Sequence, residues 1–370
     1  MSAKNQPISA TLFTRVAALI ETARQKVAAA VNTTMVYTYF EIGRMIVEEE
    51  QHGENRAAYG TRLIKELAAR LTEQFGNGFS DSNLKLMRRF YLVYAEAAQE
   101  PERIPSPRIS EKETAAIGQS LITQSQNFVL PWTHYLILMR IDNPLERRFY
   151  EIEAVENQWS VRTLSRQYHS SLYERLALSR DKAAVKKLAC KGQTINHPHD
   201  LLKNSLVLEF LGMDEQSAYS ESDLEQAIIS KLQAFLLELG KGFLFESRQK
   251  RFTFDNDHFF VDLVFYNRLL QCYVLIDLKT EKLTHQDIGQ MQMYVNYYDR
   301  HVKLDHEKPT VGILLCKKKN DLLVRLTLPK DANIYASEYN LYLPDKALLK
   351  RKLTEWTEEF ENTKELSHAR

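Results

Sequence analysis

The apolar run Cys272-Tyr273-Val274-Leu275-Ile276 ends in Asp277-Leu278-Lys279, and no other short stretch constrains the chain as much. Side chains of a strand alternate at period two, so Asp277 and Lys279 share one face. A buried carboxylate beside a buried ammonium is costly unless something uses both charges. A second acid, Asp262, interrupts the upstream apolar strand Phe259-Phe260-Val261-Asp262-Leu263-Val264-Phe265. The stretch between the two, Asn267-Arg268-Leu269-Leu270, can close a hairpin. With a short loop centred near Arg268-Leu269, Asp262 falls opposite roughly residues 275–277 of the partner strand. Two acids and one lysine then converge at one end of a sheet, an arrangement that suits a divalent metal and a phosphodiester.

At 370 residues the chain is long enough for two domains. Its formal net charge of +1 gives no whole-chain electrostatic case for nucleic acid, so any basic surface must be local. Cys190, Cys272 and Cys316 lack metal-ligand spacing, and two of them sit in strand-like runs. Reduced, buried thiols in a cytoplasmic protein are the expectation. The first residues hold no hydrophobic signal core, and no apolar run approaches the roughly 18 residues needed to span a bilayer. No membrane association is expected.

Apolar residues recur at helical steps in Val16-Leu19-Ile20-Ala23-Val27 and in Tyr59-Leu63-Leu67-Leu71. Gly76-Asn77-Gly78 breaks the second helix, and Ser80 is suited to cap a third from Asp81 to about Glu96. Helix, short turn, helix is compatible with a helix-turn-helix unit. Residues 100–127, with prolines and serines, read as a surface excursion. Helical character resumes at Trp132 and continues to about Leu176, with a break near Asn143-Pro144. The expected division is a helical N-terminal domain over 1–180, for DNA binding or oligomerisation, and a polar, basic linker over 181–204. An α/β domain then spans 205–345, and a charged helix 346–370. Within the third part the pattern predicts an amphipathic helix over 221–240 and strands over 243–254, 258–266, 271–279 and 310–316. A helix over 284–299 separates the last two strands, which makes them a parallel pair.

Helix, β-meander, helix, strand, with an acid on one strand and Asp-x-Lys on the next, resembles the PD-(D/E)XK nuclease core. Glu225 lies on the preceding helix, where many members carry a further acid. Gln290-Met291-Gln292-Met293-Tyr294 is similar to the Gln-x-x-x-Tyr pattern of RecB-like members. Val261 through Arg268 and Gly289 through Tyr294 resemble the bacterial YhcG-type nuclease family in particular. That family's helical domain is resembled by Tyr59-Gly60, Phe75-Gly76-Asn77-Gly78-Phe79-Ser80 and Trp132-Thr133-His134-Tyr135. A valine rather than a proline precedes Asp262, a minor departure. The resemblance implies a multidomain protein, with an all-helical N-terminal domain followed by a restriction-endonuclease-like α/β/α core on a mixed sheet. It implies a Mg²⁺-dependent deoxyribonuclease, with Mn²⁺ as a substitute, acting in DNA repair, recombination or defence.

On this resemblance Asp262, Asp277 and the Leu278 carbonyl hold the metal, and Lys279 holds the attacking water or steadies the phosphorane. Mg²⁺ takes one or two carboxylates, a carbonyl and several waters, and lowers the pKa of a bound water. Glu225 would bind a second ion or orient a metal-bound water. Gln290 and Tyr294 lie one helical turn apart on one face and are expected to contact the site.

Each residue has a plainer reading. Asp277 and Lys279 alone would serve as an ion pair closing a strand; Asp262 and the Gln-x-x-x-Tyr helix weigh against that. Glu225 suits a helix N-terminus by charge alone, and Tyr294 suits helix packing. Lys85, Arg88 and Arg89 follow the Ser80 cap and would touch DNA phosphates, or form a solvated face. Lys317-Lys318-Lys319 follows the last strand; if that strand runs parallel to the Asp-x-Lys strand, the three lie on the acids' rim and reach the nucleic-acid backbone. RNA is not separable from DNA on these residues. One site per chain and two strands to cut favour a homo-oligomer. The competing function is a catalytically silent nucleic-acid-binding or assembly protein on a nuclease-like fold.

Overall fold

The computed structural model describes residues 10–51, 56–97, 128–180, 182–214, 219–254, 256–319, 321–329 and 332–355. The expected excursion over 100–127 therefore lies outside the described residues up to Asn127, as does the chain beyond 355. Contacts divide the chain into two units, Met1–Leu164 and Ser165–Arg370.

The first unit is helical: α1 (Ala10–Gln51), α2 (Arg56–Phe75), α3 (Asp81–Ala97), α4 (Trp132–Leu138) and α5 (Pro144–Glu156). Ser80 caps α3 as expected, accepting from the Asn83 N–H at 3.4 Å, and α2, turn and α3 form the predicted helix–turn–helix succession. Asn143 caps α5 through the Leu145 and Glu146 N–H groups, with Pro144 at the first helical position. Ile46, Ile64, Ala68, Leu84 and Met87 form a core between α1, α2 and α3. Phe90 packs against Phe40, Tyr94, Phe128, Trp132 and Tyr135.

Gly43 sets how closely α1 approaches α3. A Cβ there would overlap the Met87 carbonyl oxygen and lie 2.9 Å from Tyr91 Cβ. Backbone cannot yield as a side-chain tip can, so Gly43→Ala is expected to part the two helices. The expected loss is about 1–3 kcal/mol, read as a lower thermal unfolding midpoint; an unchanged midpoint contradicts the close packing.

α6 (Val161–His169) runs through the division and is followed by α7 (Leu172–Leu178), α8 (Lys182–Lys191), α9 (Glu221–Ser230), α10 (Leu232–Leu239), α11 (His285–His301) and α12 (Asp321–Thr327). Six strands, β1 (Ser205–Val207), β2 (Phe243–Phe254), β3 (Asp257–Asn267), β4 (Cys272–Lys282), β5 (Val311–Lys318) and β6 (Ile334–Asn340), form one sheet of order β1-β6-β5-β4-β3-β2. β2, β3 and β4 are antiparallel neighbours, whereas β4, β5, β6 and β1 run parallel. α9 and α10 bury Leu224, Ile228, Phe235 and Leu239 on one face of the sheet. α11 buries Ile288, Met291, Tyr294, Val295 and Tyr298 on the other. The result is a three-layer α/β/α core on a mixed sheet, as the sequence predicts.

Several elements differ from expectation. The single helix over 221–240 is two helices, broken at Lys231, whose φ of −121° leaves the helical range. β1, α12 and β6 carry no expected counterpart. The segment 181–204, read as a linker, holds α8 and, near its end, Lys203, which is 4% exposed.

Lys203 is buried because it joins an ionic cluster under α10. Glu238 has no solvent exposure. It accepts from Arg175 at 2.5 Å and from the Val207 N–H at 3.0 Å. Arg166 lies 3.4 Å from its other oxygen. The Lys203 ammonium is 3.9 Å from the Glu238 carboxylate and donates to the Glu238 carbonyl. Burial alone would raise the Glu238 carboxyl, but Arg175, Lys203 and Arg166 hold it down at about 2. Arg175 also donates to the Ser170 and Ser205 carbonyls, so α7, α10 and β1 share one set of bonds. Among the described residues no helix is long and apolar enough to cross a membrane.

Candidate active site

The β3–β4 ladder pairs Asn267 with Cys272 and continues to Leu263 with Ile276, where it ends. The next pair in that register would be Asp262 and Asp277. Like charges directly opposite on neighbouring strands repel, and the two strands part where the acids begin. The hairpin thus brings Asp262 against position 277, within the expected window of 275–277. The Leu278 N–H closes the opening by donating to Asp262 Oδ2 at 2.8 Å.

Asp277 is 2% exposed. Its Oδ2 lies 2.9 Å from the Lys279 ammonium, yet that oxygen has no donor aligned for a hydrogen bond. The contact is therefore an ion pair by distance and not a hydrogen bond by direction. Burial, and then the charge of Asp262, push the Asp277 carboxyl up to about 7, with Lys279 opposing them. Lys279 shows the reverse balance. Burial would lower its ammonium, but Asp277 and then Glu221 outweigh it and the ammonium is held above its ordinary range. Glu221 Oε2 stands 3.4 Å away and Asp287 Oδ1 3.9 Å away, so three carboxylates face one lysine.

Glu225 is 7% exposed on α9, the helix Ser220 caps. Gln249 of β2 donates to Glu225 Oε2 and, at 2.9 Å, to Asp262 Oδ1. Gln290 donates to the Tyr294 hydroxyl on α11. Burial pushes that hydroxyl up to about 12, with the charges of Asp277 and Asp262 adding to the rise, so Tyr294 sits within their field. The structure thus gathers Glu225, Asp262, Asp277, Lys279 and Tyr294, with Gln290 bound to the last. Glu221, Gln249 and Asp287 were not singled out in the sequence. Glu221 was legible in principle, one helical turn before Glu225 on the same helix. Gln249 was not, because its place depends on strand register.

The donor set fits a hard divalent cation. Two carboxylates meet at the mouth of a parted ladder, and one buried carboxylate oxygen lacks an aligned donor. Among the described residues no group of three or more Asp, Glu, His or Cys side chains is placed to hold a metal ion by itself. Two carboxylates leave positions for water, as Mg²⁺ prefers.

The basic residues fall in two places. In the first unit Lys85 pairs with Asp81 at 2.7 Å and Arg88 with Glu50 at 2.6 Å, while Arg89 is exposed. Two of these three cations are thus engaged within the helical unit. β5 is parallel to β4, with Cys316 beside Lys279 and Lys318 beside Lys282, so Lys317 and Lys318 end β5 on the rim where Lys279 lies. The Lys317 ammonium rests 5.7 Å from the Tyr219 ring centroid. The Lys319 N–H donates to Glu338 at 3.0 Å. A pocket of 530 Å³ at this rim is lined in part by Lys282, Lys317, Lys318, Tyr219 and Tyr342, and none of the acids Glu225, Asp262 and Asp277 lines it.

The mixed sheet with its charged strand end has the arrangement of a PDDEXK domain, and comparison with known proteins agrees. Residues 199–354 match the YhcG PDDEXK nuclease domain and residues 15–175 the DUF1016 N-terminal domain. The chain is 41% identical over 344 residues to "Putative nuclease YhcG" of Escherichia coli (strain K12), covering 90% of this chain and 91% of that protein. This chain belongs to the YhcG nuclease family. Two solved structures are more distant. A repair endonuclease from Pyrococcus abyssi is 17% identical, with a TM-score of 0.24 over 35% of this chain and 50% of that one. An EndoMS–dsDNA complex is 16% identical, with a TM-score of 0.25 over 36% and 50%.

Proposed function

We propose that this chain hydrolyses DNA phosphodiester bonds with a divalent ion, Mg²⁺ or in its place Mn²⁺, held by Asp262, Asp277 and the Leu278 carbonyl. The observation that carries the reading is the parted ladder with its two facing acids. Apolar residues there would complete the sheet at lower cost. When bound, the ion lowers the pKa of an attacking water and offsets charge gathering on the phosphate. Lys279 orients that water with a compact ammonium that Asp277 and Glu221 keep charged. Asp262 keeps its direction through the Leu278 N–H, so it meets the ion without rearranging. Tyr294 and Gln290, bonded to one another on α11, are the candidate contacts of that helix to a phosphate oxygen. Lys317, Lys318 and Lys319 carry the flanking backbone on the same rim, and Lys85, Arg88 and Arg89 are the candidate contacts of the helical unit.

Plasmid and linear DNA should be cut in Mg²⁺ or Mn²⁺, and chelation by excess EDTA should stop cutting while leaving the fold intact by circular dichroism. Retention of DNA in a gel shift with no cutting under either ion would instead identify a binding protein on a nuclease fold.

A further inference from the structure

Gln249 has φ = 45°, a left-handed conformation within a strand. Glutamine is not a residue that favours it, and such strain persists only where the surroundings enforce it. Gln249 is exposed and sits between two ladder pairs, Arg248 with Leu263 and Lys250 with Val261. Its amide nitrogen donates to Glu225 of α9 and to Asp262 of β3.

The strand register puts it there. β2 pairs with β3 from Phe243 opposite Asn267 to Phe245 opposite Phe265, and then a bulge shifts the ladder by one residue. Beyond the bulge Arg248 faces Leu263 and Lys250 faces Val261, which sets Gln249 across from Asp262. In the unbulged register Gln249 would face Val261 instead. A one-residue shift moves a side chain between faces, and bulges commonly re-aim one beside a site.

An amide NH₂ has two hydrogens, and here each goes to a different carboxylate. Two carboxylates that share one donor direct their charge at one point between α9 and β3. A neutral amide already fills that place. Asp262 is then held on both oxygens, Oδ1 by Gln249 and Oδ2 by Leu278.

We propose that Gln249 is a positioning residue whose amide takes the place of a second cation between Glu225 and Asp262, so that the site binds one divalent ion, on the Asp262–Asp277 side. The proposal rests on the nuclease reading and adds the ion count. Glu225 then acts through Gln249 rather than as a metal ligand.

The test is Mn²⁺ titration of the full chain, with free Mn²⁺ followed by electron paramagnetic resonance. The wild type should bind one Mn²⁺ per chain and lose it in Asp277→Asn. Gln249→Met, which keeps the side-chain length without a donor, should bind two. Gln249→Gly, which also relieves the positive φ, should do the same. Adding Glu225→Gln to either variant should return the count to one, a reversal that a merely structural cross-link would not produce. Two ions on the wild type, or one on both Gln249 variants with melting curves that show them folded, overturns the proposal alone. No Mn²⁺ on the wild type, or binding indifferent to Asp277→Asn, removes the metal-site reading and the proposal with it.

Discussion

Asp277→Ala and Lys279→Ala are each expected to leave plasmid DNA uncut under conditions where the wild type nicks it to completion. Asp277 is one of two carboxylates at the opening of the β3–β4 ladder, and Lys279 is the ammonium 2.9 Å from it. Removing one preorganised group that meets developing charge costs a factor of about 10²–10³, and loss of a metal-bearing carboxylate should cost at least as much. Equal nicking by both variants and the wild type would end the assignment. Stability should move the other way. The Asp277 carboxyl is pushed up to about 7 from its ordinary 3.8, so the folded state resists ionising it. A raised acid contributes its stability below the unfolded value and loses it as pH rises through the folded one. Above about pH 7 the folded chain therefore bears the cost of a buried charge, and neutral Asp277→Asn should melt higher than the wild type. Lost cutting with a gain in melting temperature marks a residue kept for chemistry; a lower melting temperature above pH 7 would mark a structural ion pair instead.

Glu238→Ala should produce the largest loss of stability in the second unit. It leaves Arg175, which has no solvent exposure, and Lys203 without their carboxylate. Breaking a buried ion pair by removing one partner costs about 3–5 kcal/mol, against roughly 5–15 kcal/mol for a whole domain. Urea unfolding should show the midpoint collapsing, and Glu238→Gln, which keeps an acceptor for Arg175, should fall between. The pH dependence has a definite sign. The folded carboxyl sits at about 2, below its ordinary 4.5. Its stabilisation is present above 4.5 and is lost as pH falls toward 2, so the wild type should lose its advantage over Glu238→Gln across that window. An advantage that holds constant down to pH 2 would contradict the held-down carboxyl.

The elements read in the sequence are those whose signals are local. β2, β3 and β4 follow one another through tight turns, and α11 separates two apolar runs, so their order and the parallel β4–β5 pair came from spacing alone. The break at Lys231 left no trace, because Ile228 and Phe235 are seven residues apart and both reach the core, as one continuous helix would allow. β1 and β6 escaped for another reason. Ser205 pairs with Glu338 across more than a hundred residues, and a three-residue strand has no pattern of its own to show. The 181–204 segment looked like a linker because lysine and aspartate read as solvated. Only the partner Glu238, distant in sequence, makes Lys203 a buried residue.

The same division runs through the site. Residue types and a short hairpin were sufficient to oppose Asp262 to residues 275–277 and to put Asp277 and Lys279 on one strand face, because a hairpin loop and a two-residue repeat set those distances locally. The tertiary structure alone decided that the ladder stops at Leu263 and Ile276, that Glu221 and Asp287 join Asp277 around Lys279, and that a bulge turns Gln249 toward Asp262. Those outcomes depend on strand register and on where α9 and α11 begin at the rim, which are set by packing across the whole sheet rather than by neighbours in the chain.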